Sequence, residues 1–202
     1  MIKLYHAQLT RSVRILWLLE ELGLPYELAT VQFAPPSPTT GFSQQTPSGK
    51  FPSIEDGDLR MFESGAILEY ILERYGKGRL APPPGTPARG PFLQWVHFAE
   101  ATLFPPLGVI AFNTLFKPEA ERIQAAVADA RSMAATSLRV LERALDGKDY
   151  LLGAEFSGAD IMMGYTLMTA QFLGVLTDEY PNVRAYFARL QARPAFQKAL
   201  SA

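Results

Sequence analysis

Two polar residues, Glu63 and Ser64, stand side by side where a short strand pattern gives way to a helix pattern. Ser64 has the type and position of an N-cap, and capping alone would account for it. The amino end of a helix also attracts anions, because its first N–H groups lack partners and its dipole is positive there. With Glu63 facing an ammonium group, the pair would suit the head group of an α-amino acid, which carries both charges.

A second polar cluster, Thr10-Arg11-Ser12, lies between the first strand pattern and the first helix pattern. A threonine at a helix start is most often an N-cap. The other interpretation is a hydroxyl that donates a hydrogen bond to a bound thiolate, and the residues leave both open. The chain has no cysteine, so the sulfur for any thiol chemistry must come from a ligand. Disulfides, cysteine nucleophiles and iron–sulfur clusters are excluded for the same reason.

A proline, Pro52, follows Phe51 at the entry of a predicted strand. Proline donates no ladder hydrogen bond, so it belongs at a strand start or on an edge. A trans bond here would simply begin the strand. A cis bond would turn the backbone N–H and C=O of Phe51 outward, where they would bind a peptide-like ligand.

The first 80 residues have the pattern of a small α/β domain that positions these three clusters. The first helix pattern lies between two strand patterns, which predicts parallel strands joined by a crossover helix. Asp56-Gly57-Asp58 is a hairpin signal between two later strands. The predicted order is β-α-β-β-β-α. The predicted elements are strand 2–5, helix 11–23, strand 26–31, a loop with one short helix at 33–49, strand 52–55, strand Leu59–Phe62 and helix Ser64–Tyr75.

The remainder of the chain is predicted to be helical. Five prolines between residues 80 and 91 suit a semi-rigid linker, so we predict domains at 1–80 and 92–202 with the linker at 81–91. Ser157 and Asp160 form a capping box, which is a structural device that starts a buried helix. The predicted helices cover residues 119–145, 161–175, 182–192 and Pro194–Leu200.

Composition excludes several classes of function. The 202 residues are 48% hydrophobic with a net charge of −1, so the chain has material for a core and no basic footprint for nucleic acid. The two histidines, His6 and His97, are too few for a typical histidine-rich zinc site; we expect His6 at an exposed strand end and His97 packed in a helix. The start lacks a signal-peptide pattern, which predicts a cytoplasmic protein. The apolar stretch 102–116 is too short and proline-rich for a membrane span and is predicted to be a buried helix.

Taken together and in this order, the motifs resemble those of the cytosolic glutathione transferase family, over essentially the whole chain. The segments that carry the resemblance are TRSVRILWLLEELGLPYE at 10–27, TPSGKFPSIEDG at 46–57, ESGAI at 63–67, FSGAD at 156–160, YPNV at 180–183 and RPAF at 193–196.

The resemblance implies a thioredoxin-like N-terminal domain that binds glutathione, an all-helical C-terminal domain, a homodimer and no metal. It implies a cis bond at Phe51-Pro52, with Phe51 bonding the cysteinyl backbone of glutathione. Glu63 and Ser64 would hold the γ-glutamyl end, and Lys50 would meet the glycyl carboxylate. The implied reaction is attack of the glutathione thiolate on a hydrophobic electrophile.

The chain departs from the family at the catalytic position. Many bacterial relatives and the theta- and zeta-like classes place a serine just before the first helix, where this chain has Thr10 when counted back from Arg14. The resemblance is therefore to Ser/Thr-type enzymes of theta, delta or nu kind. Thr10 is the expected thiol activator, with Ser12 and Tyr5 as alternatives. The absence of cysteine argues against a reaction through a protein mixed disulfide.

Two further expectations concern the C-terminal half. The electrophile pocket is expected to include Leu9, Phe104 and Phe112, with packing in the core as the alternative role of the two phenylalanines. Glu100, an acid in an otherwise apolar stretch, is expected either to reach the glutathione of a partner subunit or simply to be solvated or paired with an arginine such as Arg74. On the same fold, the alternative functions are a glutathione-dependent peroxidase or disulfide reductase, and a non-catalytic glutathione-binding protein.

Overall fold

The computed structural model describes residues 1–31, 46 and 49–202. It divides into two compact units, residues 1–81 with 192–202 and residues 82–191. The division in the proline-rich stretch is close to the predicted boundary of 80, but the end of the chain groups with the first unit instead of the helical one. The reason is a non-local contact: the ring of Phe196 lies 4.4 Å from that of Trp17, and Arg193 Nε lies 2.6 Å from Glu21 Oε1.

The first unit is a four-stranded mixed sheet with helices, in the strand order β2-β1-β3-β4. β1 and β2 are parallel, whereas β3 pairs antiparallel with both β1 and β4. This arrangement confirms the predicted β-α-β-β-β-α order and thioredoxin-like class. The elements are β1 Ile2–His6, α1 Ser12–Leu22, β2 Tyr26–Thr30, β3 Ser53–Asp56, β4 Leu59–Phe62, α2 Ser64–Tyr75 and, from the end of the chain, α8 Pro194–Leu200.

Local sequence explains most of these elements. Alternation along β1 buries Ile2, Leu4 and His6 on one face. The predicted hairpin is confirmed, since Asp56 pairs with Leu59 across a two-residue turn. The predicted loop at 33–49 lies outside the described residues except for Thr46 and Gly49, so its short helix stays a prediction.

The second unit is helical. Its elements are α3 Arg89–His97, a π-helical segment Phe98–Leu103, α4 Phe104–Ala111, a π-helical segment Phe112–Phe116, a 3₁₀ turn Glu119–Glu121, α5 Gln124–Ala144, α6 Gly158–Phe172 and α7 Pro181–Gln191. Residues 89–116 run as one helical stretch of 28 residues, longer than the predicted buried helix at 102–116. By length and composition alone this stretch could cross a membrane, but a buried core helix meets the same two conditions. Within the unit, α3 packs on α6 and α4 packs on α5, as core helices of a bundle do.

Two helix starts in this unit differ in how well the sequence predicted them. The helix expected from residue 119 begins at Gln124, because a 3₁₀ turn precedes it and the Asn113 side chain accepts the Ile123 N–H at 3.2 Å. The capping box of α6 is confirmed. Asp160 is buried and accepts the Ser157 N–H at 2.8 Å, and burial raises the pKa of this carboxyl although its hydrogen bonds oppose the shift.

Candidate active site

The loop between β1 and α1 holds a threonine hydroxyl near the surface. Thr10 Oγ1 donates to the Ala7 carbonyl at 2.7 Å, and the Thr10 N–H donates to the same oxygen at 3.2 Å. Leu9 has a positive φ of 61° and is 73% exposed, so the loop turns outward just before Thr10. Thr10 itself is half-buried, and Arg11 rather than Thr10 occupies the N-cap position of α1.

Beneath Thr10 lies Ser12, which is fully buried. Its Oγ is 2.8 Å from Thr10 Oγ1 and 2.9 Å from Nδ1 of His6, and it accepts the Ala7 N–H at 3.2 Å. The structure therefore brings the two candidate hydroxyls within hydrogen-bond distance, but Thr10 is half-buried and Ser12 is fully buried.

The expectation of an exposed His6 is wrong, because the imidazole is fully buried. His6 shares the buried face of β1 with Leu4. The alternation of the strand would have predicted this burial, but the prediction followed the usual exposure of histidine instead. Burial lowers the pKa of His6 from its ordinary value of 6.5, which keeps the ring neutral at pH 7.

The other candidate activator, Tyr5, has its phenol occupied. Tyr5 Oη donates to Glu55 Oε1 at 2.9 Å. Burial, and then the bond to this carboxylate, raise the pKa of Tyr5 above 10.0. The phenol proton of Tyr5 is therefore held by a charged acceptor, whereas the hydroxyl proton of Thr10 is held by the neutral Ala7 carbonyl.

The Phe51-Pro52 peptide bond is cis, as the resemblance implied, and the binding role of Phe51 stays a prediction. The Phe51 side chain packs against Ala7, the residue whose carbonyl accepts the Thr10 hydroxyl. The neighbouring Lys50 is exposed, and its carbonyl accepts a hydrogen bond from Thr46 Oγ1 at 3.2 Å. The cis-proline turn and the Thr10 loop thus share one small apolar cluster.

Glu63 and Ser64 begin α2, but the N-cap expected at Ser64 lies at Glu63. Glu63 is exposed and has φ 73° and ψ 109°, a conformation that side chains with a Cβ rarely adopt. Ser64 is 3% exposed, and its Oγ accepts a hydrogen bond from Arg14 Nη1 at 2.9 Å.

Arg14 is a site residue to which the sequence analysis gave no role. Its side chain is fully buried, which is rare for arginine and requires polar partners. The signal was an arginine inside the apolar run Val13–Leu19, all of which α1 buries. The first turn of α1 therefore supports two hydroxyls, with Ser12 next to Thr10 and Arg14 next to Ser64.

The predicted site residues of the second unit differ in how far they are exposed. Glu100 is half-buried in the π-helical segment Phe98–Leu103. Phe104 is 9% exposed and its ring stacks on Tyr165 at 6.0 Å, whereas Phe112 is 52% exposed. His97, expected to be packed, is exposed at the end of α3. Within the described parts of both units, no group of three or more acidic or histidine side chains has the arrangement of a metal site.

Comparison with known proteins points to one family for both units. Residues 1–73 match the family model described as glutathione S-transferase, N-terminal domain, and residues 124–189 match the model described as glutathione S-transferase, C-terminal domain. The chain is 31% identical to Glutathione S-transferase 1 of Triticum aestivum, over 96% of this chain and 90% of that one.

Solved structures agree over nearly the full length. A glutathione transferase family member from Pseudomonas fluorescens with two glutathione bound has a TM-score of 0.85 and 29% identity, covering 98% of this chain and 92% of that one. A glutathione transferase from Phanerochaete chrysosporium with oxidized glutathione has a TM-score of 0.85 and 27% identity, covering 99% and 93%. With both domain models matched and close relatives aligned along the whole chain, the protein belongs to the glutathione S-transferase family.

Proposed function

We propose that this glutathione transferase activates its co-substrate through the hydroxyl of Thr10, which donates a hydrogen bond to the glutathione thiolate. The observation that carries the proposal is the contrast among the three candidates. Thr10 is half-buried in an outward-turning loop, Ser12 is fully buried, and the phenol of Tyr5 is held by Glu55. We therefore choose the Thr10 hydroxyl, which can exchange its bond to the neutral Ala7 carbonyl for a bond to a ligand.

The rest of glutathione is assigned by charge and backbone geometry. Glu63 meets the α-ammonium group, and Ser64 with the amino end of α2 meets the α-carboxylate. Phe51, before the cis proline Pro52, bonds the cysteinyl backbone through its main chain. Lys50 is exposed and meets the glycyl carboxylate. These four contacts would hold the thiol over the Thr10 loop.

The energy required is within reach of one hydroxyl. A free thiol has a pKa of about 8.5, and lowering it by about two units takes roughly 2.7 kcal/mol. A hydrogen bond to a charged acceptor contributes about 1.5–3 kcal/mol. The dipole of α1 adds roughly 0.3–1 kcal/mol, although the N–H groups of Ser12, Val13 and Arg14 already donate to Thr10 or Arg11. Thr10 is therefore the main source of stabilisation.

The reaction then needs no covalent step on the protein. The thiol proton leaves to solvent, the sulfur lone pair forms a bond to an electrophilic carbon, and the leaving group departs with the electron pair of the bond that breaks. In the first unit we assign Leu9, which is 73% exposed, to the surface that meets an apolar electrophile. The expectation that Phe104 and Phe112 of the second unit also contact the electrophile stays a prediction. A hydroxyl activator places the enzyme among Ser/Thr-type transferases of theta, delta or nu kind, and we expect it to work in the cytosol.

A second reaction on the same site is favoured by the solved relatives that hold two glutathione molecules or oxidized glutathione. In a disulfide reductase, one glutathione thiolate attacks a disulfide and releases a thiolate. A second glutathione thiolate then attacks the mixed disulfide, giving oxidized glutathione and a second thiolate. This sequence needs no protein cysteine, and the chain has none.

The first prediction concerns the thiol pKa. Thr10→Ala removes the donor, so we expect the pKa of bound glutathione to rise by about 1–2 units from about 6.5 and the conjugation rate at pH 7 to fall about 3- to 25-fold. The absorbance of bound thiolate against pH measures the shift. Thr10→Ser keeps the hydroxyl and serves as the matched control. An unchanged pKa in Thr10→Ala would show that Thr10 is not the activator.

The second prediction concerns the strained Glu63. Glu63→Gly relieves the positive φ, so we expect the free energy of unfolding in urea to rise by up to about 1 kcal/mol, while glutathione affinity falls by about 1–3 kcal/mol. Glu63→Gln keeps the positive φ and loses the charge, so it should lower glutathione affinity without changing the free energy of unfolding. Calorimetric titration measures the affinity. Wild-type affinity in Glu63→Gln would remove this residue from the ammonium site.

The third prediction concerns Glu100 and a homodimer. We propose that Glu100 of one subunit meets the γ-glutamyl ammonium bound by its partner. Glu100→Gln should then weaken glutathione binding by roughly 1–3 kcal/mol without loss of fold, and dilution to monomers should weaken it as well. Glu119→Gln, at an exposed acid of the same unit, is the matched control. Unchanged affinity in Glu100→Gln, or a monomer that binds as well as the dimer, would contradict the proposal.

The fourth prediction separates the two reactions. With a chloronitrobenzene, we expect a thioether product whose formation depends on one glutathione and falls in Thr10→Ala. With a small disulfide such as hydroxyethyl disulfide, formation of oxidized glutathione should be the slower activity. Product masses and rates at equal substrate concentration decide between them. Rapid disulfide turnover without a thioether would establish the reductase instead.

A further inference from the structure

Three short contacts run in a line from the buried His6 to the surface loop. His6 Nδ1 is 2.9 Å from Ser12 Oγ, Ser12 Oγ is 2.8 Å from Thr10 Oγ1, and Thr10 Oγ1 is 2.7 Å from the Ala7 carbonyl oxygen. Each of these is within hydrogen-bond distance, so each needs one hydrogen between its two heavy atoms.

The direction of these bonds follows from the number of protons. A carbonyl cannot donate, so the Thr10 hydroxyl must donate to Ala7. A hydroxyl has a single proton, so the contact between Thr10 and Ser12 must use the proton of Ser12. The proton of Ser12 is then spent, and the last contact requires a hydrogen on Nδ1 of His6.

Counting acceptors gives the same answer. Ser12 Oγ has two lone pairs, which the Ala7 N–H at 3.2 Å and the His6 Nδ1–H fill. Thr10 Oγ1 accepts from the Ser12 hydroxyl and, more weakly, from the Ser12 N–H at 3.4 Å. Both lone pairs of Thr10 Oγ1 thus accept hydrogen bonds from Ser12. Only the Thr10 proton is then available to a ligand.

One competing arrangement is disfavoured by distance. Ser12 Oγ also lies 3.2 Å from the Ala7 carbonyl. If Ser12 donated there, the 2.8 Å contact with Thr10 would hold two oxygens without a hydrogen between them. Nε2 of His6 makes no well-formed hydrogen bond among the described residues, so the tautomer is decided by the three short contacts. The main chain of Ala202 lies near enough to favour a proton on the ring, but more weakly than burial opposes it.

We propose that His6 and Ser12 are positioning residues that form a one-way hydrogen-bond chain, from His6 Nδ1–H through Ser12 to Thr10, and that this chain fixes Thr10 as a donor to the glutathione sulfur. The inference rests on the proposed role of Thr10. When glutathione binds, the Thr10 proton turns from the Ala7 carbonyl to the sulfur, and every proton in the chain stays on its own atom. A His6 with the proton on Nε2 would reverse the chain and point lone pairs at the thiolate.

The test compares three variants by the absorbance of bound thiolate and by steady-state kinetics. Ser12→Ala and His6→Leu each cut the chain, so both should raise the pKa of bound glutathione by about half a unit to one unit. At a pH about one unit below the wild-type thiol pKa, this shift should lower kcat about 3- to 10-fold. KM for glutathione should stay within about twofold. His6→Asn is the matched control, because its amide nitrogen donates from about the Nδ1 position, and it should restore the wild-type pKa.

The outcomes separate the chain from the function on which it rests. If Thr10→Ala raises the thiol pKa while Ser12→Ala and His6→Leu leave it unchanged, Thr10 is the activator and the chain is refuted. If Thr10→Ala also leaves it unchanged, both proposals fall. Equal losses in His6→Leu and His6→Asn would show a role in packing and would also refute the chain.

A measurement on the wild-type protein covers the case in which the variants do not fold. Nitrogen-15 NMR of histidine-labelled protein with glutathione bound reports which ring nitrogen of His6 carries the proton. His97→Gln, at the exposed second histidine, identifies the signal. We expect the Nδ1–H form, and a proton on Nε2 alone would overturn the proposal.

Discussion

The turn between β1 and α1 has to bury two polar side chains in order to hold one hydroxyl at the surface. His6 and Ser12 are both fully buried, where an unpartnered polar group would be costly. They satisfy each other and the main chain of Ala7, and this leaves little freedom for the path of the loop. The outward turn at Leu9 and the position of Thr10 follow from that constraint. If Thr10 meets the sulfur as proposed, the placement of the sulfur depends on hydrogen bonds between residues that do not contact the ligand.

The same turn of α1 also supports the other end of the site. Successive helix residues are about 100° apart, so positions 12 and 14 point to nearly opposite sides. Ser12 faces the strand and its loop, whereas Arg14 reaches Ser64 at the start of α2. A guanidinium stays charged when buried, so it requires polar partners such as the Ser64 hydroxyl. An uncharged replacement of Arg14 would remove its hydrogen bond to Ser64. One helical turn thereby supports both Thr10 and Ser64, the residues proposed to meet the thiol and the α-carboxylate of the ligand.

The sequence predicted what is local and misjudged what is not. Strand alternation, the Gly57 hairpin and the capping box of Ser157 and Asp160 each depend on neighbours within a few residues. The N-cap at Ser64 failed because its hydroxyl serves Arg14, which is 50 positions away. The grouping of the chain end with the first unit depends on the contact between Trp17 and Phe196. The burial of His6 was missed because histidine at a strand end was expected to be exposed. Chemistry at the site was predicted from residue types, but its support lies in contacts between distant segments.

A hydroxyl that can only donate also limits the reactions open to the enzyme. With both lone pairs of Thr10 engaged, it cannot act as a general base, so the thiol proton must leave to solvent before attack. The nearby phenol of Tyr5 is held by Glu55 and has a raised pKa, so it is a poor acid for a leaving group. Among the described residues of the first unit, the site thus stabilises a nucleophile without supplying a proton to what departs. Such a site favours electrophiles whose leaving groups are stable as anions, such as an activated aryl halide or a disulfide with an acidic thiol, over those that must be protonated as they leave.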